Sequence, residues 1–244
     1  MAILIYSVNL LRISVVSLLR KMKENRELAR RLRRSRAELM ASQIKPHFIY
    51  NTLNSIRTLV KVDPEQAQKT VYDFSTYLRS NLENVGEREL IPFSDELRHI
   101  QAYLNIEKVR FGERLRVAED IGTKSFQVPP LSVQPLVENA VKHGICARME
   151  GGTVTIRSRE EADAYVVEVE DDGIGFDVES IEKRGKANDK FSHIGLENIR
   201  FRIREIARGR LDIHSRPGEG TKVTVTFPKE ERKGDECHAG HDRG

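Results

Sequence analysis

Residues Gln134 to Gly144 read Gln-Pro-Leu-Val-Glu-Asn-Ala-Val-Lys-His-Gly. On a helix over Leu131–His143, the residues Val133, Leu136, Val137, Ala140 and Val141 form one apolar face. Asn139, Lys142 and His143 fall together at i, i+3 and i+4 on the opposite side. An amide oxygen, an ammonium and an imidazole gathered there suit a Mg²⁺ ion and a phosphate chain, because Mg²⁺ takes oxygen ligands and is usually completed by phosphates and water. Every amphipathic helix has a polar face, so the segment acquires meaning only from its surroundings.

Those surroundings change texture at about Glu113. Short alternating stretches follow at Arg114–Glu119, Thr153–Arg159, Tyr165–Glu170, Arg210–Ser215 and Lys222–Phe227, with helical segments near Leu131–His143 and Gly195–Arg208. The pattern predicts an α+β sandwich, a mixed or antiparallel sheet with helices on one face. Three further glycine clusters are set into it. Asp171-Asp172-Gly173-Ile174-Gly175 follows a strand, where glycines permit a tight turn and close approach of backbone to a ligand. Asp171 is placed to accept a hydrogen bond from an exocyclic amine such as that of adenine. His193-Ile194-Gly195-Leu196-Glu197-Asn198 reads as a glycine opening a helix whose free N–H groups favour anions. Pro217-Gly218-Glu219-Gly220-Thr221 precedes the last strand. Each cluster is common alone, whereas all of them in this order are not.

Upstream, Gln43-Ile-Lys-Pro-His-Phe-Ile-Tyr-Asn-Thr-Leu-Asn-Ser-Ile56 sets a histidine directly after a proline. On a helix past Pro46, the residues His47, Asn51, Asn54 and Thr58 share a polar face, and Ile49, Leu53, Ile56 and Val60 form an apolar seam. The imidazole is thereby turned away from the seam, and a neutral ring keeps a nucleophilic lone pair near pH 7. A surface histidine beside a kinking proline explains the same residues. Asp63-Pro64 reads as a turn with Asp63 as N-cap, followed by a second helix to about Asn84 with Ala67, Val71, Phe74, Leu78 and Leu82 as its apolar stripe. A third helix covers about Ser94–Arg110. The short connection makes an antiparallel hairpin, whose exposed seam a second copy would complete as a four-helix bundle.

The chain has 244 residues, enough for one or two globular units with a real core. Its 41 Lys and Arg exceed its 37 Asp and Glu by four, yet the excess is local. Residues 1–45 hold eleven bases and three acids, which leaves the remainder at net −4. A basic segment is not a groove-binding surface, so a direct nucleic-acid partner is not expected. Met1–Leu19 is a nearly unbroken apolar run followed by Arg20, Lys21, Lys23, Arg26 and further arginines, the pattern of a membrane helix with a cytoplasmic C-terminal side. Val8, Val15, Met22 and Ala29 alternate with Leu4, Leu11, Leu18, Asn25, Leu32 and Leu39 as a heptad seam, so a soluble dimeric coiled coil fits as well. Charges after rather than before the apolar run argue against a cleavable signal peptide. Cys146 and Cys237 stand too far apart in sequence to suggest a disulfide framework or metal-ligand spacing. Cys237, His238, His241 and Asp242 lie in a tail that reads as disordered.

From about Ala41 to Pro228 the chain resembles the transmitter region of the LytS-type sensor histidine kinases, members of the wider family sharing the gyrase/Hsp90/MutL (GHKL) ATP-binding fold. The His47 segment resembles that family's phosphoacceptor box, and Gln134–Gly144 its N box. Asp171-x-Gly173-x-Gly175, Gly195-Leu196-x-Asn198 and Gly218-x-Gly220-Thr221 resemble its three glycine boxes. The resemblance implies a homodimeric, ATP- and Mg²⁺-dependent kinase that phosphorylates its own histidine and passes the phosphoryl group to an aspartate of a response regulator, one with a LytTR or AraC-type output domain by family analogy. It implies His47 as acceptor, Asn139 as Mg²⁺ ligand, Lys142 and His143 at phosphate, and Asp171 at adenine. Gly173, Gly175, Gly195, Leu196, Asn198, Gly220 and Thr221 would shape the pocket and a lid over Phe176–Ile194.

The expected layout is a candidate membrane helix over 1–19, a basic coiled-coil stalk over 20–45, and dimerisation and phosphotransfer helices over 46–112. The ATP-binding domain covers 113–230 and a disordered tail 231–244. The catalytic region is expected in the cytoplasm, attached to the membrane or as a soluble fragment of such a protein. Two departures accompany the resemblance. Phe48 occupies the position where other kinase classes carry an acidic base, leaving Asn51 to orient the ring and Glu138 as a speculative base. His193 stands where the second glycine box has its leading glycine. A catalytically degenerate nucleotide-binding scaffold is the main alternative. A freestanding ATPase of this fold is the other, but Pro135 stands where such enzymes carry the glutamate that activates water.

Overall fold

The computed structural model describes residues 46–83, 90–178 and 190–229. The expected membrane helix, stalk and tail lie outside the described residues, as do 179–189 of the expected lid. Among the described residues, no helix is long and apolar enough to cross a membrane.

Helix α1 spans Pro46–Val62 and α2 spans Pro64–Glu83. The break between them is the expected cap: Asp63 Oδ1 accepts a 3.0 Å hydrogen bond from the backbone N–H of Gln66, with Pro64 at the first helical position. Phe48 and Thr52 are the buried residues of α1, and the Phe48 ring faces Phe74 and Tyr77 of α2 and Tyr103 of the third helix. The expected apolar seam behaves otherwise. Ile49 and Ile56 are partly buried, whereas Leu53, Val60 and, on α2, Val71 are half exposed or more. Within one chain the hairpin therefore closes on Phe48, not on the Leu53–Val60 stripe.

Helix α3, Phe93–Phe111, follows β1 (Ile91–Pro92), and its buried residues include Leu97, Ile100, Tyr103, Leu104 and Ile106. It packs on α1 and α2 on one side and on the rest of the protein on the other. The cluster of buried core residues runs from Phe48 to Phe227.

The larger unit is built on five strands, β2 (Leu115–Ile121), β4 (Gly152–Glu160), β5 (Ala164–Asp171), β6 (Arg210–Arg216) and β7 (Gly220–Pro228). Their order is β2-β4-β5-β7-β6, with β2 and β4 parallel and the other pairs antiparallel. Two-residue strands β1 and β3 (Gln127–Val128) form a separate antiparallel pair that the periodicity did not announce. Strand β4 alternates, with Val154, Ile156 and Ser158 buried and Thr153, Thr155 and Arg157 half exposed, the period of two that a one-sided sheet requires. Helices cover the Val154 face: α3, α4 (Gln134–Asn139) with its continuation Ala140–Ile145, and α5 (Lys190–Ala207). The opposite face carries ion pairs, Arg157 with Glu170, and Glu168 between Arg159 and Lys222 at 3.0 Å each. This is the α+β sandwich expected from the sequence, with helices on one face.

Two helices differ from their sequence-based bounds. The stretch expected as one helix over Leu131–His143 begins as an α-helix at Gln134 and widens to a π-helix over Ala140–Ile145, closed by a 2.8 Å bond from Cys146 N–H to the Val141 carbonyl. Helix α5 begins at Lys190, so Gly195 lies inside it and does not open it. A glycine in a helix interior costs only about 1 kcal/mol and need not mark a terminus.

Candidate functional site

The start of α4 is set by a residue far from it in sequence. Glu96, on the first turn of α3 and fully buried, accepts hydrogen bonds from the backbone N–H groups of Leu131 (3.1 Å), Val133 (3.0 Å) and Gln134 (3.0 Å). Free N–H groups at a helix start need an acceptor, and a carboxylate there is also favoured by the helix dipole. Burial raises the Glu96 pKa, against the pull of those backbone donors. Arg202 of α5 donates a 2.8 Å bond to the Pro130 carbonyl, pinning the same entry from the other side.

With the entry fixed, α4 presents its faces as expected. Leu136, Val137, Ala140 and Val141 are buried, while Asn139, Lys142 and His143 are exposed along one side. Glu138 is different. It is buried, and its Oε1 accepts from Tyr77 Oη at 3.2 Å and from Gln134 Nε2 at 3.1 Å. The group suggested as a base is therefore packed between α4 and α2, away from the exposed Asn139 side.

The last residue but one of the widened turn is Gly144, where three chain segments meet around Asp171. The pleat puts Asp171 on the same face as Val167 and Val169, opposite Val154, so its side chain rises under the helices. Asp171 Oδ1 accepts the backbone N–H of Gly173 at 3.0 Å. A Cβ on Gly144 would stand 2.3 Å from Asp171 Oδ1, and one on Gly173 would stand 2.4 Å from the Gly144 backbone. The last glycine cluster closes the other side. Gly218 N–H donates to the Ile174 carbonyl at 2.6 Å, and Gly220, at φ +91°, passes so near that a Cβ would lie 2.0 Å from the Asp171 carbonyl oxygen. Ser215 Oγ ties the turn together, accepting from Phe176 N–H at 2.8 Å and lying 3.0 Å from Thr221 Oγ1. Burial, aided by the neighbouring Asp172 charge, pushes the Asp171 pKa up to about 6.

Asn139, Lys142 and His143 thus line the open side of a helix whose far end abuts a buried carboxylate in a cradle without side chains. The donor set fits a nucleotide: cationic and amide groups for phosphates on one side, an acceptor for a base amine on the other. Among the described residues, no cluster of three or more His, Cys, Asp or Glu could hold a metal. A Mg²⁺ ion at Asn139 would draw the rest of its oxygen shell from phosphates and water. Leu196 is half-buried and Asn198 exposed on α5.

On α1, His47 is exposed, and Asn51 Nδ2 lies 3.1 Å from His47 Nδ1 and 3.2 Å from Nε2. An amide nitrogen nearly equidistant from both ring nitrogens must stand over the ring face, because an in-plane approach would collide with the carbon between them. Asn51 thus does not lie along the in-plane direction of either ring nitrogen. Sequence reasoning missed Glu96 and Tyr77; each acts across more than thirty residues, and neither carries a local motif.

A family profile described as histidine kinase matches residues 35–115, and one described as histidine kinase-, DNA gyrase B- and HSP90-like ATPase matches residues 131–231. The chain is 38% identical over 198 residues to protein YwpD of Bacillus subtilis, an alignment covering 80% of this chain and 70% of that one. It is 36% identical to the sensor protein LytS of Bacillus anthracis, over 79% of this chain and 34% of that one. It is 37% identical to the sensor histidine kinase YpdA of Escherichia coli, over 80% of this chain and 35% of that one. The chain therefore spans about a third of the length of those two sensor proteins.

Proposed function

We propose, from the premise that the chain belongs to the histidine kinase family as a member of its LytS type, that it is the transmitter of a two-component sensor kinase. In this reading, ATP phosphorylates His47, and the phosphoryl group then passes to an aspartate of a response regulator. The observation that carries it is the convergence of Gly144, Gly173 and Gly220 on Asp171, beside the exposed row Asn139, Lys142 and His143.

Residue by residue, Asn139 would hold Mg²⁺, Lys142 and His143 would meet phosphate oxygens, and Asp171 would accept from the adenine amine. Mg²⁺, when bound, supplies charge neutralisation at the phosphates. Gly173, Gly175 and Gly220 let the backbone approach the nucleotide, and Leu196, Asn198 and Thr221 border it. His47 carries the acceptor lone pair, and Asn51 over the ring face limits its rotation without occupying that pair. With Phe48 buried and Glu138 held by Tyr77 and Gln134, no side chain is assigned as base. A neutral imidazole attacks through its lone pair before its other proton leaves, so the chemistry does not depend on one.

The half-exposed Leu53, Val60 and Val71, beside exposed Tyr50 and Tyr72, support a homodimer through the α1–α2 hairpin. Membrane attachment with the catalytic region in the cytoplasm rests on the apolar Met1–Leu19 run and its basic flank. A LytTR or AraC-type regulator remains the family-based expectation.

The test is incubation with γ-labelled ATP and Mg²⁺, comparing the wild type with His47→Ala and Asn139→Ala. Acid-labile, base-stable label on the wild type, absent from both variants, is the expected result. His47→Ala should still bind ATP with unchanged affinity. A wild type that binds ATP but takes no label would replace the kinase with a nucleotide-binding scaffold.

A further inference from the structure

Phe48 directly follows His47 and is 7% exposed. Its ring lies 4.7 Å from that of Tyr77, 5.6 Å from Tyr103 and 6.4 Å from Phe74, centroid to centroid, so three rings from α2 and α3 enclose it. A buried aromatic with so many ring contacts has little rotational or translational freedom. The register of α1, and hence the place of His47, is tied to this cage.

Tyr77 is the wall of the cage that reaches the nucleotide side. It is 1% exposed, and its hydroxyl donates to Glu138 Oε1 at 3.2 Å. Glu138 is bonded in the chain to Asn139 and is further held by Gln134, whose own N–H is capped by Glu96. Burial first, and then the Glu138 charge, raises the Tyr77 pKa, so its hydroxyl stays a donor throughout the physiological range. A path of direct contacts thus runs His47, Phe48, Tyr77, Glu138, Asn139, joining the acceptor helix to the helix proposed to hold Mg²⁺.

We propose that Tyr77 is a positioning residue for the phosphorylation of His47: its ring seats the neighbour of His47, and its hydroxyl holds the neighbour of Asn139. The inference rests on the kinase reading and assigns Glu138 to the same link, as the acceptor of the Tyr77 hydroxyl. Phosphoryl transfer depends chiefly on placement, and a shift of about 1 Å at a reacting group costs up to about a hundredfold in rate. Losing one buried hydrogen bond while keeping the ring should therefore slow the transfer without emptying the nucleotide site.

The experiment measures, on the full chain, the autophosphorylation rate at saturating Mg-ATP, ATP affinity, and chemical phosphorylation of His47 by phosphoramidate. Tyr77→Phe is expected to slow autophosphorylation about tenfold, with ATP affinity and phosphoramidate labelling within about twofold of wild type. Glu138→Ala should match it, and the double variant should add little, since both break one link. Glu138→Gln keeps an acceptor for the Tyr77 hydroxyl and should recover most of the rate. A wild-type rate in Tyr77→Phe, or a loss explained wholly by ATP affinity, would overturn the proposal and leave the kinase reading intact. So would a Glu138→Gln variant as inactive as His47→Ala, which would make Glu138 the base instead. A wild type labelled by phosphoramidate but not by ATP would overturn both readings.

Discussion

Glu96 and Asp171 are both carboxyl groups buried under the same helices, and burial raises the pKa of both. They differ in what surrounds them. Glu96 is 0% exposed and is met by the N–H groups of Leu131, Val133 and Gln134, a full set of donors for one carboxylate. Asp171 stands at the end of its strand, held by backbone donors at Gly173 and Thr221, with glycines where side chains would otherwise crowd it. The first group is saturated by the fold and builds the entry to α4. The second is met by fewer donors and is bordered by glycine backbone, which suits a group proposed to meet a ligand. The number of donors, more than depth of burial, separates the carboxyl that builds the fold from the one proposed to meet a ligand.

The largest effect should come from Glu96→Ala. It strands three buried N–H groups, each costing about 1–3 kcal/mol, so urea denaturation should show a loss of roughly 3–9 kcal/mol. A loss under 1 kcal/mol would mean that water or another group caps α4, and the contrast with Asp171 would fail. Gly173→Ala comes next. The new methyl would sit 2.4 Å from the Gly144 backbone, which has no flexible end to move aside. About 1–3 kcal/mol of stability should be lost with ATP binding, read by denaturation and nucleotide titration. Retained ATP affinity would show that the cradle opens more readily than the close approach implies.

Asp171→Asn is the smallest change and has the opposite sign. The native pKa is about 6 against an ordinary 3.8, so the folded protein holds its proton more tightly than the unfolded chain does. Stability falls as pH rises between those values, by about 2–3 kcal/mol in all, and the loss is complete above pH 6. The asparagine variant escapes that fall. It should be about 2 kcal/mol more stable than wild type at pH 7.5, equal to it near pH 3, and weaker in binding ATP. Equal stability at both pH values would show that the Asp171 carboxylate carries no desolvation cost.

The same contrast explains what could be read from the chain beforehand. Each of the five sheet strands was anticipated to within two residues at either end, because one-sided burial imposes alternation and alternation is visible locally. Asp171 was singled out because its partners are glycines, and a glycine required by close contact leaves a motif. Glu96 left none: it sits in an ordinary amphipathic helix, and its partners are backbone groups 35 to 38 residues away. Phe48 stood out only as the vacant base position and Tyr77 not at all, and only the folded chain shows that Tyr77 donates to Glu138. The start of α5 was misplaced because Gly195 resembles a terminus when its flanks are unknown. The widened turn at Ala140–Ile145 has no periodicity of its own to betray it.

Among the described residues, the strand order leaves β6 on one rim of the sheet, with one row of backbone N–H and C=O groups unmatched by a neighbouring strand. Such a rim is a template for a second molecule to add a strand, and long flat rims of that kind seed fibres. This one alternates Arg210, Asp212, His214 and Arg216 with Leu211 and Ile213, and the Arg210–Asp212 pair at 2.8 Å keeps opposite charges along it. An incoming copy of this strand in the antiparallel sense would set its own charged row beside this one. A protein proposed to pair through its helices is thereby discouraged from self-association through its strands.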